Sequence, residues 1–280
     1  MANVVTAPRA LTATVIAVSA GQRIQETSAA LAALRARSAV RTILISLGDN
    51  PQPPIKFEED MISIEELVPR YLNNAVASLR LSSLPSIAWW RGGDIGALAD
   101  LADLVDRLVL DSEDPREAWS AAAAIADSTS ISDLRWTRLT RWRNLMAQFF
   151  DVPVVRGAIG SFTELQVTAA DPHTARLFAG WMKSRLPEGN TLAITVSAAA
   201  GEAAIQSASL NGSSHRLSLE LTGRGNCILT SIETGDRMIA SRIVPLGDQS
   251  PEVLMAEELR VRARDLAFEQ ALQASAGLSS

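Results

Sequence analysis

Strand and helix patterns alternate from the first apolar run onward, and this alternation limits the folds open to the chain. Residues 10-ALTATVIAVSA-20 are mostly apolar and rich in β-branched side chains. Residues 22-QRIQETSAALAALRAR-37 place Ile24, Leu31 and Leu34 on one side of a helix, and 41-RTILISL-47 is a second apolar run. Apolar runs of this length without polar alternation are what strands buried on both faces look like. Strand, helix and strand at this spacing predict parallel strands joined by a right-handed crossover. The pattern continues with a short strand over 59–64, a helix over 69–81, a strand over 87–90, a helix over 96–107, a strand over 107–112 and a helix over 114–126. The first half is therefore expected to be an α/β domain, Rossmann-like, with a mostly parallel sheet.

After Pro153 the pattern changes. A strand over 162–168 and a helix over 172–186 lead into strand-like segments near 192–198, 203–210, 214–222, 226–233 and 236–244. Turns such as Asn211-Gly212, Gly223-Arg224-Gly225 and Gly235-Asp236 separate them, which predicts antiparallel hairpins. A charged helix over 252–272 closes the chain. The expected organisation is an α/β domain over 1–155 and an α+β domain with an antiparallel sheet over 156–280.

The chemical inventory is sparse. A net charge of −5 argues against nucleic acid as a partner. Cys227 is the single cysteine, so no disulfide can form within the chain and cytoplasm is the expected compartment. No apolar run reaches the roughly 20 residues of a membrane-spanning helix, so no membrane association is expected. Residues 10–20, preceded by Arg9, have the length of a signal-peptide core, but their β-branched content favours a buried strand. There is no phosphate loop, 92-GGDIG-96 does not match a dinucleotide fingerprint, and 157-GAIGS-161 is not a nucleophile elbow. His173 and His215 are far apart, and Asp100, Asp103 and Asp106 read as a solvated helix face. No catalytic residue, metal or cofactor is expected.

Two stretches stand out. One is 84-LPSIAWWRGGD-94, where Trp89, Trp90 and Arg91 close a strand at the end where open α/β sheets bind ligands. The other is 133-DLRWTRLTRWRNLMAQFF-150. Asp133 is a suitable N-cap, and Trp136, Leu139, Trp142, Leu145, Met146, Phe149 and Phe150 recur at helical spacing. Arg138 and Arg143 fall near the two edges of that apolar half. A guanidinium there must reach a carboxylate, a phosphate, an aromatic face or water.

Three segments together, 84-LPSIAWWRG-92, 107-RLVLDS-112 and 133-DLRWTRLTRWRNLMAQFFD-151, resemble the OpcA family of bacterial glucose-6-phosphate dehydrogenase assembly proteins. Pro85, Trp89 and Trp90 fit its proline-led strand ending in Trp-Trp. Asp133, Leu134, Trp136, Arg138, Leu139, Thr140, Trp142 and Arg143 fit its Asp-Leu-x-Trp-x-Arg-Leu-Thr-x-Trp-Arg pattern. Family members carry more chain ahead of the first strand than the nine residues found here. The resemblance implies a non-catalytic protein that binds glucose-6-phosphate dehydrogenase and acts as an assembly factor or allosteric activator in the oxidative pentose phosphate pathway. On that reading Trp89, Trp90, Arg91, Asp133, Trp136, Arg138, Trp142 and Arg143 are the expected partner- or ligand-binding residues. Packing alone would make the tryptophans core and pair Arg138 or Arg143 with Asp111, Glu113 or Asp133. A second reading is a sensor that binds a sugar phosphate or nucleotide through the same Trp/Arg patch. A third is a hydrolase or transferase with an unfamiliar site.

Overall fold

The structure is a computed structural model that describes residues 10–58, 61–187, 189–201, 203–223, 225–261 and 263–278. Arg9, ahead of the first apolar run, and Arg224, in the expected Gly-Arg-Gly turn, lie outside the described residues. The chain divides into two compact units. The first runs up to Leu134 and takes in Ser250–Arg264; the second holds Arg135–Gln249 and the chain from Asp265.

The first unit is built on a seven-stranded sheet. Its strands are β1 (Ala13–Ser19), β2 (Val40–Asn50), β3 (Ile55–Glu58), β4 (Met61–Leu67), β5 (Ser86–Trp90), β6 (Arg107–Leu110) and β7 (Ser130–Asp133). Helices α1 (Ile24–Arg37), α2 (Leu72–Leu79), α3 (Ile95–Ala102) and α4 (Arg116–Ile125) connect them. The strand order is β3-β4-β2-β1-β5-β6-β7, and every pairing is parallel except β3 with β4. From β4 to β7 this is the doubly wound, Rossmann-like order, with the chain reversing direction across the sheet between β1 and β5. The sequence explains the placement. All seven residues of β1 and all five of β5 are buried, as central parallel strands require. β3 is exposed throughout and carries Lys56 and Glu58, which suits an edge strand.

The second unit opens with α5 (Leu134–Arg138), α6 (Thr140–Phe149) and α7 (Pro153–Gly157). Strand β8 (Phe162–Ala169) and helix α8 (Pro172–Arg185) follow. The remaining strands are β9 (Ala193–Ala198), β10 (Ser207–Gly212), β11 (His215–Thr222), β12 (Cys227–Thr234) and β13 (Arg237–Pro245). They form a six-stranded sheet in the order β13-β12-β11-β10-β8-β9, antiparallel except for the β8–β9 pair. Alternation on β8 and β11 buries Leu165, Val167, Leu217 and Leu219 on one face, against α6 and α8.

The strand expected over 59–64 is present as β4, with Glu59 and Asp60 outside the described residues. Three expectations are corrected. Asn211-Gly212 ends β10, and the turn follows at 213–214. The boundary at residue 155 moves to Leu134, because the helical motif packs with the second unit. The helix over 252–272 is two helices, α9 (Pro251–Glu258) and α10 (Leu266–Ala276), which belong to different units.

Burial explains that split. Leu254 and Met255 of α9 join Leu31, Leu34 and Trp89 in the first core. Glu258, at the end of α9, accepts from Arg107 Nε at 3.0 Å and Nη2 at 2.6 Å, and from Ser132 Oγ at 3.0 Å. Helix α10 instead lies along α8. A Cβ on Gly180 of α8 would land on the Ala271 carbonyl oxygen of α10, so glycine is what lets the two backbones approach. Gly180→Ala is expected to lower stability by about 1–3 kcal/mol through overpacking, read as an earlier urea midpoint with an unchanged slope.

Candidate functional site

Arg91 leaves β5 into the strand-end crevice of the first unit. Its side chain is 1% exposed. Nε donates to Asp111 Oδ2 at 2.9 Å, Nη1 to Thr27 Oγ1 at 2.8 Å and Nη2 to Glu26 Oε1 at 2.5 Å. The guanidinium carbon also lies 4.7 Å from the centroid of the Trp89 ring. Arg23 adds bonds from Nη1 to the Asp111 carbonyl at 2.6 Å and from Nη2 to Asp111 Oδ2 at 3.4 Å. Two guanidiniums therefore face two carboxylates, and the cluster carries no net charge. Burial alone would raise the Glu26 pKa, but the Arg91 hydrogen bond and charge, helped by Arg23, hold it below the usual glutamate value.

This cluster occupies a telling place. In doubly wound sheets a dinucleotide lays its pyrophosphate over the first strand-to-helix turn, beside the point where the strand order reverses. Here that turn is 19-SAGQR-23, with one glycine, and Arg23 and Arg91 bridge it to Asp111 and α1. What remains beside Arg91, Gly92 and Ser112 is a pocket of about 190 Å³. Beyond the ends of β2 and β4 lies a larger cleft of about 980 Å³. Asp49, Glu58, Glu65 and Glu66 line it against Lys56, whose Nζ is held by Glu65 at 2.5 Å. A lining of four carboxylates and one lysine repels a phosphorylated ligand.

The helical motif resolves residue by residue. Asp133 ends β7 fully buried and accepts from Trp119 Nε1 at 2.7 Å. Trp136 is 2% exposed, packs on Phe268 at 5.7 Å between centroids, and donates from Nε1 to Asp265 Oδ2 at 2.7 Å. Asp265 in turn caps α10, accepting from the Phe268 N–H. Arg143 stacks on the Trp136 ring, 3.4 Å from its centroid, and donates to the Trp136 carbonyl at 3.4 Å. Arg135 donates from Nε to Asp171 Oδ2 at 2.8 Å. Asp171 caps α8 through the His173 N–H and also accepts from Thr174 Oγ1 at 2.6 Å. Burial opposes ionisation of Asp171, yet the Arg135 charge and the Thr174 bond hold its pKa below the usual aspartate value.

Arg138 and Trp142 remain. Among the described residues Arg138 makes no hydrogen bond or ion pair, and with Trp142 it lines a cavity of about 790 Å³ within the second unit. Of the eight expected site residues, Trp89, Trp90, Arg91 and Asp133 are thus buried in the first unit, and Trp136 and Arg143 lock helix ends in the second. Arg138 and Trp142 both line that cavity. Asp171 and Asp265 were missed by sequence reasoning. Their signals were Asp-Pro opening a helix and an aspartate three residues ahead of an N–H it could cap.

Residues 129–272 match the OpcA family model, described as the C-terminal domain of a glucose-6-phosphate dehydrogenase subunit. The chain belongs to the OpcA family. Cyanobacterial proteins named OxPP cycle protein OpcA are similar to it. Those of Synechocystis sp. and Nostoc punctiforme are both 27% identical over 124 residues, and that of Synechococcus elongatus is 30% identical over 120. The matches cover 41%, 41% and 40% of this chain but 26%, 27% and 27% of those proteins, so the matched region spans about a quarter of their length. In fold, the chain is similar to an NADPH-dependent oxidoreductase of Desulfitobacterium hafniense, with a TM-score of 0.53, 10% identity and coverage of 95% of this chain and 93% of that one. It is also similar to the aldose-aldose oxidoreductase of Caulobacter crescentus, with a TM-score of 0.51, 11% identity and coverage of 93% and 95%.

Arg143→Gln removes a desolvated stack and is expected to lower stability by about 1–2 kcal/mol. Arg138→Gln is expected to stay within about 0.5 kcal/mol of the parent. Urea unfolding followed by tryptophan fluorescence separates the two. The ionised form of Asp171 is favoured by folding, so its contribution is present above the unfolded pKa and is lost as pH falls through the lower folded value. The destabilisation caused by Asp171→Asn is therefore expected to be largest above about pH 5 and to shrink below about pH 4, measured as urea midpoints across that range.

Proposed function

We propose that the chain is a non-catalytic protein of the oxidative pentose phosphate pathway that binds glucose-6-phosphate dehydrogenase in the cytoplasm and promotes its assembly or activity. Family membership and the names of its cyanobacterial relatives support the pathway and the partner. The observation that carries the non-catalytic part is the neutral Arg23–Glu26–Arg91–Asp111 cluster. A dehydrogenase-like layout whose pyrophosphate position is filled by its own ion-paired side chains has lost the seat of its redox cofactor. Neither unit presents, among the described residues, three or more metal-ligating side chains that could hold an ion. Protein binding is the role that fits such a scaffold, and Arg138 and Arg141 are the motif arginines that no hydrogen bond or ion pair occupies among the described residues.

The purified chain mixed with glucose-6-phosphate dehydrogenase from the same organism is expected to co-elute on gel filtration and to change the kcat or KM of the dehydrogenase. Separate elution with unchanged kinetics at a several-fold excess of the chain contradicts the proposal.

A further inference from the structure

The end strands of the two sheets differ in how they are closed to further pairing. β3 is short and carries Lys56 and Glu58. β7 is four residues long and mostly buried. β13 has a bulge against β12 and holds two arginines. Short strands, edge charges and bulges are the devices that block edge-to-edge pairing. β9 has neither bulge nor charge. Its six residues, 193-AITVSA-198, include no proline and pair with β8 in unbroken parallel register. Ala193, Thr195, Ser197 and Ala198 are exposed, and no strand among the described residues pairs with the outer edge. Along it, within the second unit, runs a cleft of about 660 Å³ that Ile194 and Val196 help to line. Among the described residues lining this cleft, the charged ones are Arg176 and Lys183 of α8, and neither makes a hydrogen bond or ion pair.

β8 and β9 are parallel, so α8 runs back between them, with Arg176 toward the C-terminal end of β9 and Lys183 toward its start. Seven positions apart, the two cations share one side of α8, roughly 10 Å from each other along its axis. Ile194 and Val196 are on the α8 side of the sheet, since they pair with the buried Leu165 and Val167. A peptide strand laid beside β9 places alternate side chains on that side at roughly 7 Å intervals. Three in succession then meet a cation, the apolar pair and a cation. We propose that β9 accepts an extended acidic peptide segment as a seventh strand of its sheet, with two carboxylates four residues apart on Arg176 and Lys183 and an apolar side chain between them against Ile194 and Val196. Carboxylates at that spacing lie roughly 13 Å apart, and the long Arg and Lys side chains take up the difference. Backbone hydrogen bonds along the edge supply affinity, and the two charge-assisted pairs supply selectivity. The proposal stands apart from the dehydrogenase reading, because its test contains no dehydrogenase.

Fluorescence polarisation of the full chain with a labelled heptapeptide, Thr-Glu-Thr-Val-Thr-Glu-Thr, tests it. This peptide is expected to bind at least about ten-fold more tightly than the same peptide with glutamine for glutamate. Arg176→Glu combined with Lys183→Glu is expected to weaken binding at least about ten-fold, with circular dichroism unchanged. N-methylation of alternate peptide amides separates strand addition from charge attraction without altering the chain. Methylating the set that faces β9 abolishes binding, and methylating the other set preserves it. No saturable binding up to about 1 mM peptide overturns the proposal. So does equal binding of the glutamate and glutamine peptides, or of the two methylated peptides. A dimer on gel filtration that the double charge reversal disperses, with no peptide bound, assigns the edge to a second copy of the chain and overturns it as well.

Discussion

A guanidinium buried at the end of the central parallel strands sets the character of the first unit. Arg91 cannot sit there uncharged, so the fold must bring it carboxylates. Glu26 comes from α1 and Asp111 from the end of β6, while Thr27 supplies a third acceptor. One side chain thereby joins β5, α1 and the chain after β6 at the crevice where a doubly wound sheet normally opens toward a ligand. Removing one partner would leave a buried, uncompensated charge, which costs about 3–5 kcal/mol. The same contacts tie the turn between β1 and α1 to the ends of β5 and β6.

The second unit repeats the device with different geometry. Arg135 meets Asp171 at the start of α8, and Trp136 meets Asp265 at the start of α10, with Arg143 stacked on the indole. Each aspartate accepts from a helix N-terminus and from a side chain of α5 at once. Three successive turns of sequence, 135 to 143, thus fasten two later helices whose residues lie 36 and 129 positions downstream. A motif dense in tryptophan and arginine reads at first as a binding patch; most of it is the fastening of its own unit. Arg138 and Arg141 take no part in this fastening and make no hydrogen bond or ion pair among the described residues.

How much of this was legible follows from where the partners lie. The α/β and antiparallel halves were readable because burial writes a local period: unbroken apolar runs in β1 and β5, alternation in β8 and β11. Strand β7 was hidden because four residues, Ser130–Asp133, are too few to show a period, and Asp133 also looks like a helix cap. The break between α9 and α10 was hidden because a helical pattern persists on both sides while the two apolar faces seek different cores. Arg138 and Arg143 were indistinguishable in sequence, since both flank the same apolar stripe. Only the fold places Arg143 over Trp136. The burial of Arg91 likewise depends on Glu26 and Asp111, 65 and 20 positions away.

If the Arg23–Glu26–Arg91–Asp111 cluster takes the place a dinucleotide would need in a doubly wound fold, the chain binds neither NADP nor NAD. Isothermal titration of the intact chain with NADP and with NAD tests it most directly. No saturable heat is expected for either nucleotide up to about 5 mM. A dissociation constant in the micromolar range for either one, with one nucleotide bound per chain, would contradict it.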